Sequence, residues 1–322
     1  MESSSEHKPD RLAHEPVLLD AVVHWLAPPA GGVVLDCTAG DGGHASALGR
    51  RLGPGGTVVL CDLDPGCLAK AAGAVRQAVG AEVRVVEINA SYAETPRRLV
   101  DLGLSADRVI ADLGFSSRQM DDGARGFSFR REGPLDMRFG TSGPTAADLV
   151  NTLPERELAD LLHDLGEERK ARAIAAKIVA ERAREPIRTT GALAKIVRAV
   201  VAPFGRGPEQ KIDPATRTFQ ALRIAVNDEL GNLDALLSAV TRQASQRASG
   251  AGGGWLGPDA RVGIIAFHSL EDRRVKQAFG ALADRSCARV LTKKPIEATP
   301  EEVERNARSR SAKLRVIELG VA

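Results

Sequence analysis

The stretch Val33-Val34-Leu35-Asp36-Cys37-Thr38-Ala39-Gly40-Asp41-Gly42-Gly43-His44-Ala45 decides the fold. Its opening apolar run, rich in β-branched Val, predicts a strand. The glycines that follow predict a tight turn, and the residues from Gly43 onward predict a helix. Gly40-x-Gly42-x-x-Ala45 matches the dinucleotide fingerprint, in which glycine allows the turn and lets a ligand approach the backbone closely. Asp62 comes about 20 residues later, at the end of the next predicted strand, where a carboxylate holds ribose hydroxyls. Strand before, ribose acid after: that context predicts a cofactor containing adenosine.

Charge on the loop separates the candidate cofactors. A pyrophosphate binds bare backbone N–H groups at a helix N-terminus, whereas the ammonium and sulfonium of S-adenosylmethionine bind acids. Asp36 and Asp41 repel a pyrophosphate by simple Coulomb interaction. The loop therefore predicts S-adenosylmethionine, with an NAD-linked oxidoreductase as the weaker alternative. His44 is either a cofactor contact or an exposed residue at a helix start.

Outward from this loop, the first third alternates short apolar runs with helical stretches, the rhythm of a parallel sheet covered by helices. Strands are predicted at residues 33–35, 57–61, 82–86 and 108–111. Each is followed by a polar or acidic residue, Asp36, Asp62, Glu87 and Asp112. Ligands of open α/β sheets bind beyond the carboxyl ends of the strands, so these acids are expected to line one crevice. Apolar residues at helical spacing then fill the chain to residue 201, and residues 216–240 read as one long helix. Strands return at 261–267 and 313–319. The predicted fold class is α/β, a Rossmann-like sheet interrupted by an all-helical insertion. The predicted boundaries are a flexible tail at 1–12, a discontinuous core at 13–119 and 214–322, and the helical insertion at 120–213.

Composition narrows the function. The 322 residues are 43% hydrophobic and 27% charged, with a net charge of +2. No apolar run reaches the roughly 18 residues of a membrane span, and the polar first residues lack the apolar region of a secretory signal. A cytoplasmic protein with no membrane partner is expected. Cys37, Cys61, Cys67 and Cys287 form no CxxC pair and have no nearby paired histidines, so no metal is expected. Most of the 44 basic residues are Arg, which suits phosphate contact and base stacking.

The reacting end is predicted at Val109-Ile110-Ala111-Asp112-Leu113-Gly114-Phe115. An acid at this strand end with an aromatic three residues later occupies the place of the Asp/Asn-Pro-Pro-aromatic turn of amino-methylating enzymes. A nucleobase amine has its lone pair delocalised into the ring and attacks poorly. An acceptor on its N–H groups localises the pair and takes the proton, while an aromatic face stacks the base. Asp112 and Phe115 are the candidates. Phe115, Phe127, Phe129 and Phe139 lie among Arg118, Arg125, Arg130, Arg131 and Arg138, either as a stacking platform for single-stranded RNA or as a structural loop self-paired through Asp121, Asp122, Glu132 and Asp136. The basic tail Arg305, Arg308, Arg310, Lys313 and Arg315 suits RNA phosphates. His268, at a strand end, reads as a hydrogen-bonded structural residue.

These motifs resemble the bacterial methyltransferase H family, which methylates the exocyclic N4 of a cytidine in the decoding region of 16S ribosomal RNA. The resemblance runs from His14 to Arg315. It rests on His14-Glu15-Pro16-Val17-Leu18-Leu19, the Gly40 to His44 loop, Asp112-Leu113-Gly114-Phe115-Ser116-Ser117, Arg125-Gly126-Phe127-Ser128-Phe129 and Gly133-Pro134-Leu135-Asp136-Met137-Arg138. It continues in Gly166-Glu167-Glu168-Arg169, Ala215-Thr216-Arg217-Thr218-Phe219-Gln220-Ala221-Leu222-Arg223, Phe267-His268-Ser269-Leu270-Glu271-Asp272-Arg273 and Arg310-Ser311-Ala312-Lys313-Leu314-Arg315. It implies a class I methyltransferase core, S-adenosyl-L-methionine as methyl donor, and an inserted helical domain that helps to recognise RNA. The implied partner is 16S rRNA in the small ribosomal subunit; a homodimer is left open. The cofactor contacts it implies are Gly42, Gly43, His44, Asp62, Tyr92, Asp112 and Gln119. Departures are Asp41 where relatives often carry Arg or Gly, Phe139 where Met is common, and Asn306-Ala307 in place of Asn-Pro. The alternative is a non-catalytic ribosome-assembly or RNA-binding factor that keeps the cofactor site as structure.

Overall fold

The structure, a computed structural model, describes residues 15–114, 123–129, 131–201, 213–250 and 252–320. The chain divides into two compact units, residues 1–114 with 236–322 and residues 115–235. The first unit opens with α1 (Leu19–Trp25), β1 (Val33–Asp36), α2 (Gly43–Gly49), β2 (Thr57–Asp62), α3 (Pro65–Val79), β3 (Arg84–Asn89), α4 (Thr95–Asp101) and β4 (Ala106–Asp112). The second contains α5 (Ala146–Thr152), α6 (Glu155–Gly166), α7 (Ala171–Arg182), α8 (Thr190–Val201) and α9 (Thr216–Asn227). Helix α10 (Glu229–Ala248) leads back to the first unit, which ends with β5 (Leu256–Ala266), α11 (Ser269–Asp284), β6 (Ala288–Val290), β7 (Ile296–Glu297), α12 (Pro300–Arg305) and β8 (Lys313–Leu319).

One sheet organises the first unit, in the order β3-β2-β1-β4-β5-β8-β6, with β7 also on β8. Strands β1 to β5 pair in parallel, and β8 runs antiparallel to β5. This is the Rossmann-like α/β sheet expected. Val34, Leu60, Ile110, Ile265 and Val316 from five strands pack with Ala45, Leu48, Ala71 and Val75 of the covering helices in one core. Central strands buried on both faces need the near-continuous apolar runs that the sequence carries. Because β1 lies between β2 and β4, with Asp36 in register with Leu60 on one side and Ile110 on the other, the strand order reverses there. Crevices at such a switch point open at the carboxyl ends of the strands.

Two expectations are corrected. The third strand runs over Arg84–Asn89 rather than 82–86, so Glu87 is inside it. On this edge strand residues alternate between faces, and Glu87 turns outward to Arg76 at 2.5 Å instead of joining the crevice acids. The single helix expected at 216–240 is two, broken at Asp228, whose φ of 46° is left-handed. Strands β6 and β7, of three and two residues, carry too short a pattern to register. Helix α9 packs its Phe219 and Leu222 into the core of the helical unit.

Inside the helical unit, Leu158, Leu162, Ile174, Ile178, Leu193 and Val197 form one core with Leu135 and Met137. Helix α5 starts with a reciprocal cap between Thr145 and Asp148. Helices α6 and α9 meet at Gly166, where a Cβ would stand 2.6 Å from the Arg217 carbonyl oxygen. The Arg217 guanidinium donates in turn to the Glu167 carbonyl at 3.0 Å.

Candidate active site

Two glycines shape the turn between β1 and α2. Gly42 has φ of 80°, and a Cβ there would stand 3.0 Å from the Ala71 carbonyl oxygen and 3.1 Å from Ala71 Cα, so the turn lies directly on α3. A Cβ on Gly43 would come within 2.2 Å of Pro16 Cγ, because the N-terminal segment occupies that space. Ala45 is fully buried, which gives the close helix–sheet packing the third fingerprint position needs. The turn is also bonded to the sheet. Cys37 N–H donates to Ile110 and Ala39 N–H to Cys61, each at 2.8 Å.

Asp36, Asp62 and Asp112 end three adjacent strands, β1, β2 and β4. Asp62 accepts from Gly40 N–H at 3.0 Å through one oxygen and from Asp64 N–H at 2.9 Å through the other. Asp112 accepts from Gly114 N–H at 3.2 Å, and its own N–H donates to Thr38 Oγ1 at 2.7 Å. Asp36 is 1% exposed. Burial pushes its carboxyl up to about 6, attraction to His44 and the Thr38 N–H bond act against that, and the neighbouring Asp112 and Asp62 charges add to it. A cluster of like charges at one edge, held in place by backbone N–H groups, suits a cationic ligand and repels an anionic one.

His44 is buried, not exposed, which sets aside the helix-start alternative. Its Nε2 lies 2.8 Å from the Val17 carbonyl oxygen, and its Nδ1 lies 3.9 Å from Asp112 Oδ2. A carbonyl only accepts, so Nε2 carries the proton and, in the neutral ring, Nδ1 is bare toward Asp112. The remaining expected contacts fall differently. Tyr92 begins a 3₁₀ turn just past β3, with its carbonyl accepting from Thr95 Oγ1 at 2.7 Å. Gln119 lies outside the described residues, as do Phe115, Arg118, Asp121, Asp122 and Arg130. Asp41 pairs with Lys70 at 2.6 Å. The argument against a pyrophosphate therefore rests on Asp36 and on Gly40, whose N–H is bonded to Asp62. Burial raises both the Cys37 and Cys61 thiols, so neither is a ready nucleophile.

Three contributors escape a reading by motif. Thr38 donates its N–H to Asp36 Oδ1 at 3.1 Å while its hydroxyl receives Asp112 N–H, joining two of the acids. Asn89 donates to the Asp62 and Leu63 carbonyls at 2.9 and 3.3 Å, fixing the end of β2. Val17 orients His44. The signal for Thr38 was available, since a hydroxyl two residues past a strand-end acid bonds backbone locally. For Asn89 and Val17 no local signal exists.

Other candidates make contacts of their own. Phe127 stacks on Phe139 at 5.4 Å between centroids, and Phe129 meets Phe219 edge-on at 5.0 Å. Arg138 binds Asp136 bidentately, at 2.8 and 2.6 Å, and holds its carboxyl below the usual range. Arg125 donates to the Arg138 and Phe139 carbonyls at 3.0 and 2.6 Å. In the tail, Arg315 is buried on Asp272 at 2.7 and 3.1 Å, and Arg305 pairs with Glu15 at 3.6 Å. His268 Nε2 sits 3.2 Å from Glu271 Oε1, and the other Glu271 oxygen accepts from Phe267 N–H at 2.8 Å, so this pair starts α11.

Residues 11–319 match the model of the MraW methylase family. The protein named ribosomal RNA small subunit methyltransferase H of Myxococcus xanthus is 46% identical over 320 residues, covering 95% of this chain and 97% of that one. The protein of the same name in Acidobacterium capsulatum is 44% identical over 313 residues, covering 96% and 99%. That of Deinococcus radiodurans is 44% identical over 322 residues, covering 100% and 94%.

Proposed function

The chain belongs to the MraW methylase family, and on that premise we propose that it is an S-adenosylmethionine-dependent methyltransferase of ribosomal RNA, acting on the exocyclic N4 of a cytidine in the decoding region of 16S rRNA. The observation that carries the cofactor half is the cluster of Asp36, Asp62 and Asp112 around the glycine turn. The residues present fit the donor. Carboxylates suit its positive charges, and the missing side chains at Gly42 and Gly43 leave the turn's backbone open to a ligand. When bound, the donor supplies an activated methyl on sulfur. As the family resemblance implies, Asp62 would hold the ribose, Tyr92 would meet the adenine, and Gly42, Gly43, His44, Asp112 and Gln119 would complete the contacts.

Asp112 is the catalytic residue in this reading. Its carboxylate binds the N4–H of the presented base, concentrates the lone pair on nitrogen and takes the released proton. The base leaves its stack to reach the strand-end crevice, and most of the acceleration comes from holding two reactants in line. No metal takes part. The helical unit contributes to RNA recognition. No helix among the described residues is long and apolar enough to cross a membrane, and we place the reaction in the cytoplasm, on the small ribosomal subunit, by one chain or a homodimer.

Incubating the protein with methyl-labelled S-adenosylmethionine and small subunits from cells lacking the enzyme, followed by nucleoside mass analysis, tests this. Label in N4-methylcytidine is expected. Cofactor bound without label in any nucleoside overturns the catalytic reading in favour of an assembly factor.

A further inference from the structure

The mechanism above leaves a proton on Asp112, in a place that already holds two other carboxylates. It also gives no role to the Nδ1 of His44, proposed above only as a cofactor contact. His44 is 6% exposed, and three elements besides its own helix face it. The N-terminal segment presents the Val17 carbonyl to Nε2 at 2.8 Å. Strand β4 presents Asp112, 3.9 Å from Nδ1. Strand β1 places Asp36 where attraction to the ring works against the effect of burial on its carboxyl, and the Asp62 charge on β2 acts on Asp36 in turn.

The ring's orientation is determined from outside the site. Leu18, next to Val17, has φ of 54° and ψ of 33°, a strained conformation for a branched residue. Its N–H is held by Glu302 Oε1 at 2.7 Å, and Asn306 donates to the Glu15 carbonyl at 3.0 Å. Pro16 between them fills the space that a side chain on residue 43 would need. A donor pinned at Nε2 by a backbone carbonyl fixes the tautomer with Nδ1 bare, which is how a proton acceptor is prepared.

We propose that His44 is a positioning residue of the transfer: its bare Nδ1, held by Val17, receives through Asp112 the proton that leaves the cytidine amine. This rests on the function proposed above. As the methyl carbon bonds to N4 and parts from sulfur, one N4–H proton passes to the Asp112 carboxylate and then to Nδ1. The products are a neutral methylated amine and an imidazolium beside the Asp112 carboxylate and attracted by the charge of Asp36, where positive charge is stabilised. The proton reaches solvent when the products leave. A gap of 3.9 Å is longer than a transfer distance, and such contacts tighten when substrate is in place.

Two measurements test it. In ¹⁵N-histidine-labelled parent protein without cofactor, NMR at pH 8 is expected to give His44 protonated on Nε2 and bare on Nδ1, assigned by loss of the signal in His44→Gln; the opposite tautomer overturns the proposal. His44→Gln keeps a donor near the Nε2 position and removes Nδ1. Calorimetric titration of S-adenosylmethionine into it sets the cofactor concentration that saturates the variant. Single-turnover methylation at saturating cofactor is expected to fall on the order of 100-fold, with the acid limb of the pH profile flattened. His44→Asn, which offers an acceptor near Nδ1 but cannot take a proton, is expected to be as slow. An unchanged saturated rate in His44→Gln, whatever its cofactor affinity, confines His44 to its cofactor contact and overturns the proposal, as does full activity in His44→Asn. An inactive parent would sink the proposed function itself, whereas a fast His44→Gln variant beside an active parent sinks only the role of His44.

Discussion

The strand-end cluster of the first unit and the motif residues of the helical unit are both charged and partly buried, yet their charges are arranged in opposite ways. At the strand ends, Asp36, Asp62 and Asp112 crowd together, and burial drives the Asp36 carboxyl up. In the helical unit two motif charges meet their opposites. Arg138 lies on Asp136, and Arg223 grips Glu229 through two bonds of 2.8 and 2.9 Å. Buried like charges destabilise a fold, so they persist where a ligand or a reaction uses them. Paired charges with good geometry hold a scaffold together. Family motifs therefore fall into two kinds that sequence alone does not separate.

The comparison breaks if the two kinds respond alike to mutation. Asp112→Ala is expected to lower single-turnover methylation by roughly 10²- to 10⁴-fold, while the thermal melting midpoint stays close to the parent's. Arg223→Ala should do the reverse. It leaves Glu229, 8% exposed, without its guanidinium partner. Denaturant unfolding should record a loss of about 3–5 kcal/mol, and the cofactor affinity of the folded fraction should be retained. A stable Arg223→Ala variant with impaired cofactor binding would erase the distinction.

Asp36→Asn sharpens the comparison through pH. The folded carboxyl titrates near 6 against an ordinary value of 3.8, so between those values the folded state holds more protons than the unfolded state. Stability of the parent then falls as pH rises through that window. Relative to parent, the Asn variant is expected to gain with pH from about 4 upward, by up to about 3 kcal/mol at pH 7, and the gap should close below pH 4. Unfolding at pH 4, 5.5 and 7 reads it directly. The smallest effect is expected from Gly166→Ala, where the new methyl meets the Arg217 carbonyl. A cost of about 1–3 kcal/mol follows from overpacking, without any change in the saturated rate of methylation.

The sequence made the central sheet legible because β1, β2 and β4 are apolar runs that end in acids, and a switch point needs little more. It obscured β3, where Val86-Glu87-Ile88 alternates as an edge strand should while the search was for a continuous apolar run. The break at Asp228 was invisible because neither Gly nor Pro marks it and the apolar spacing continues on both sides. Of the site, the carboxylates were readable as types at strand ends. Their wiring was not, since Thr38 reaches Asp112 across 74 residues and Val17 reaches His44 across 27. Such contacts follow from topology rather than from local pattern.

The segment of residues 15–18, which abuts Gly43 and holds His44, is itself anchored by Glu302 and Asn306, 284 and 291 residues away from their partners. A chain made from its N-terminus can form the strand-turn-helix of residues 33–49 before Glu302 and Asn306 exist, so the anchor of the 15–18 segment is the last part of the His44 setting to be supplied.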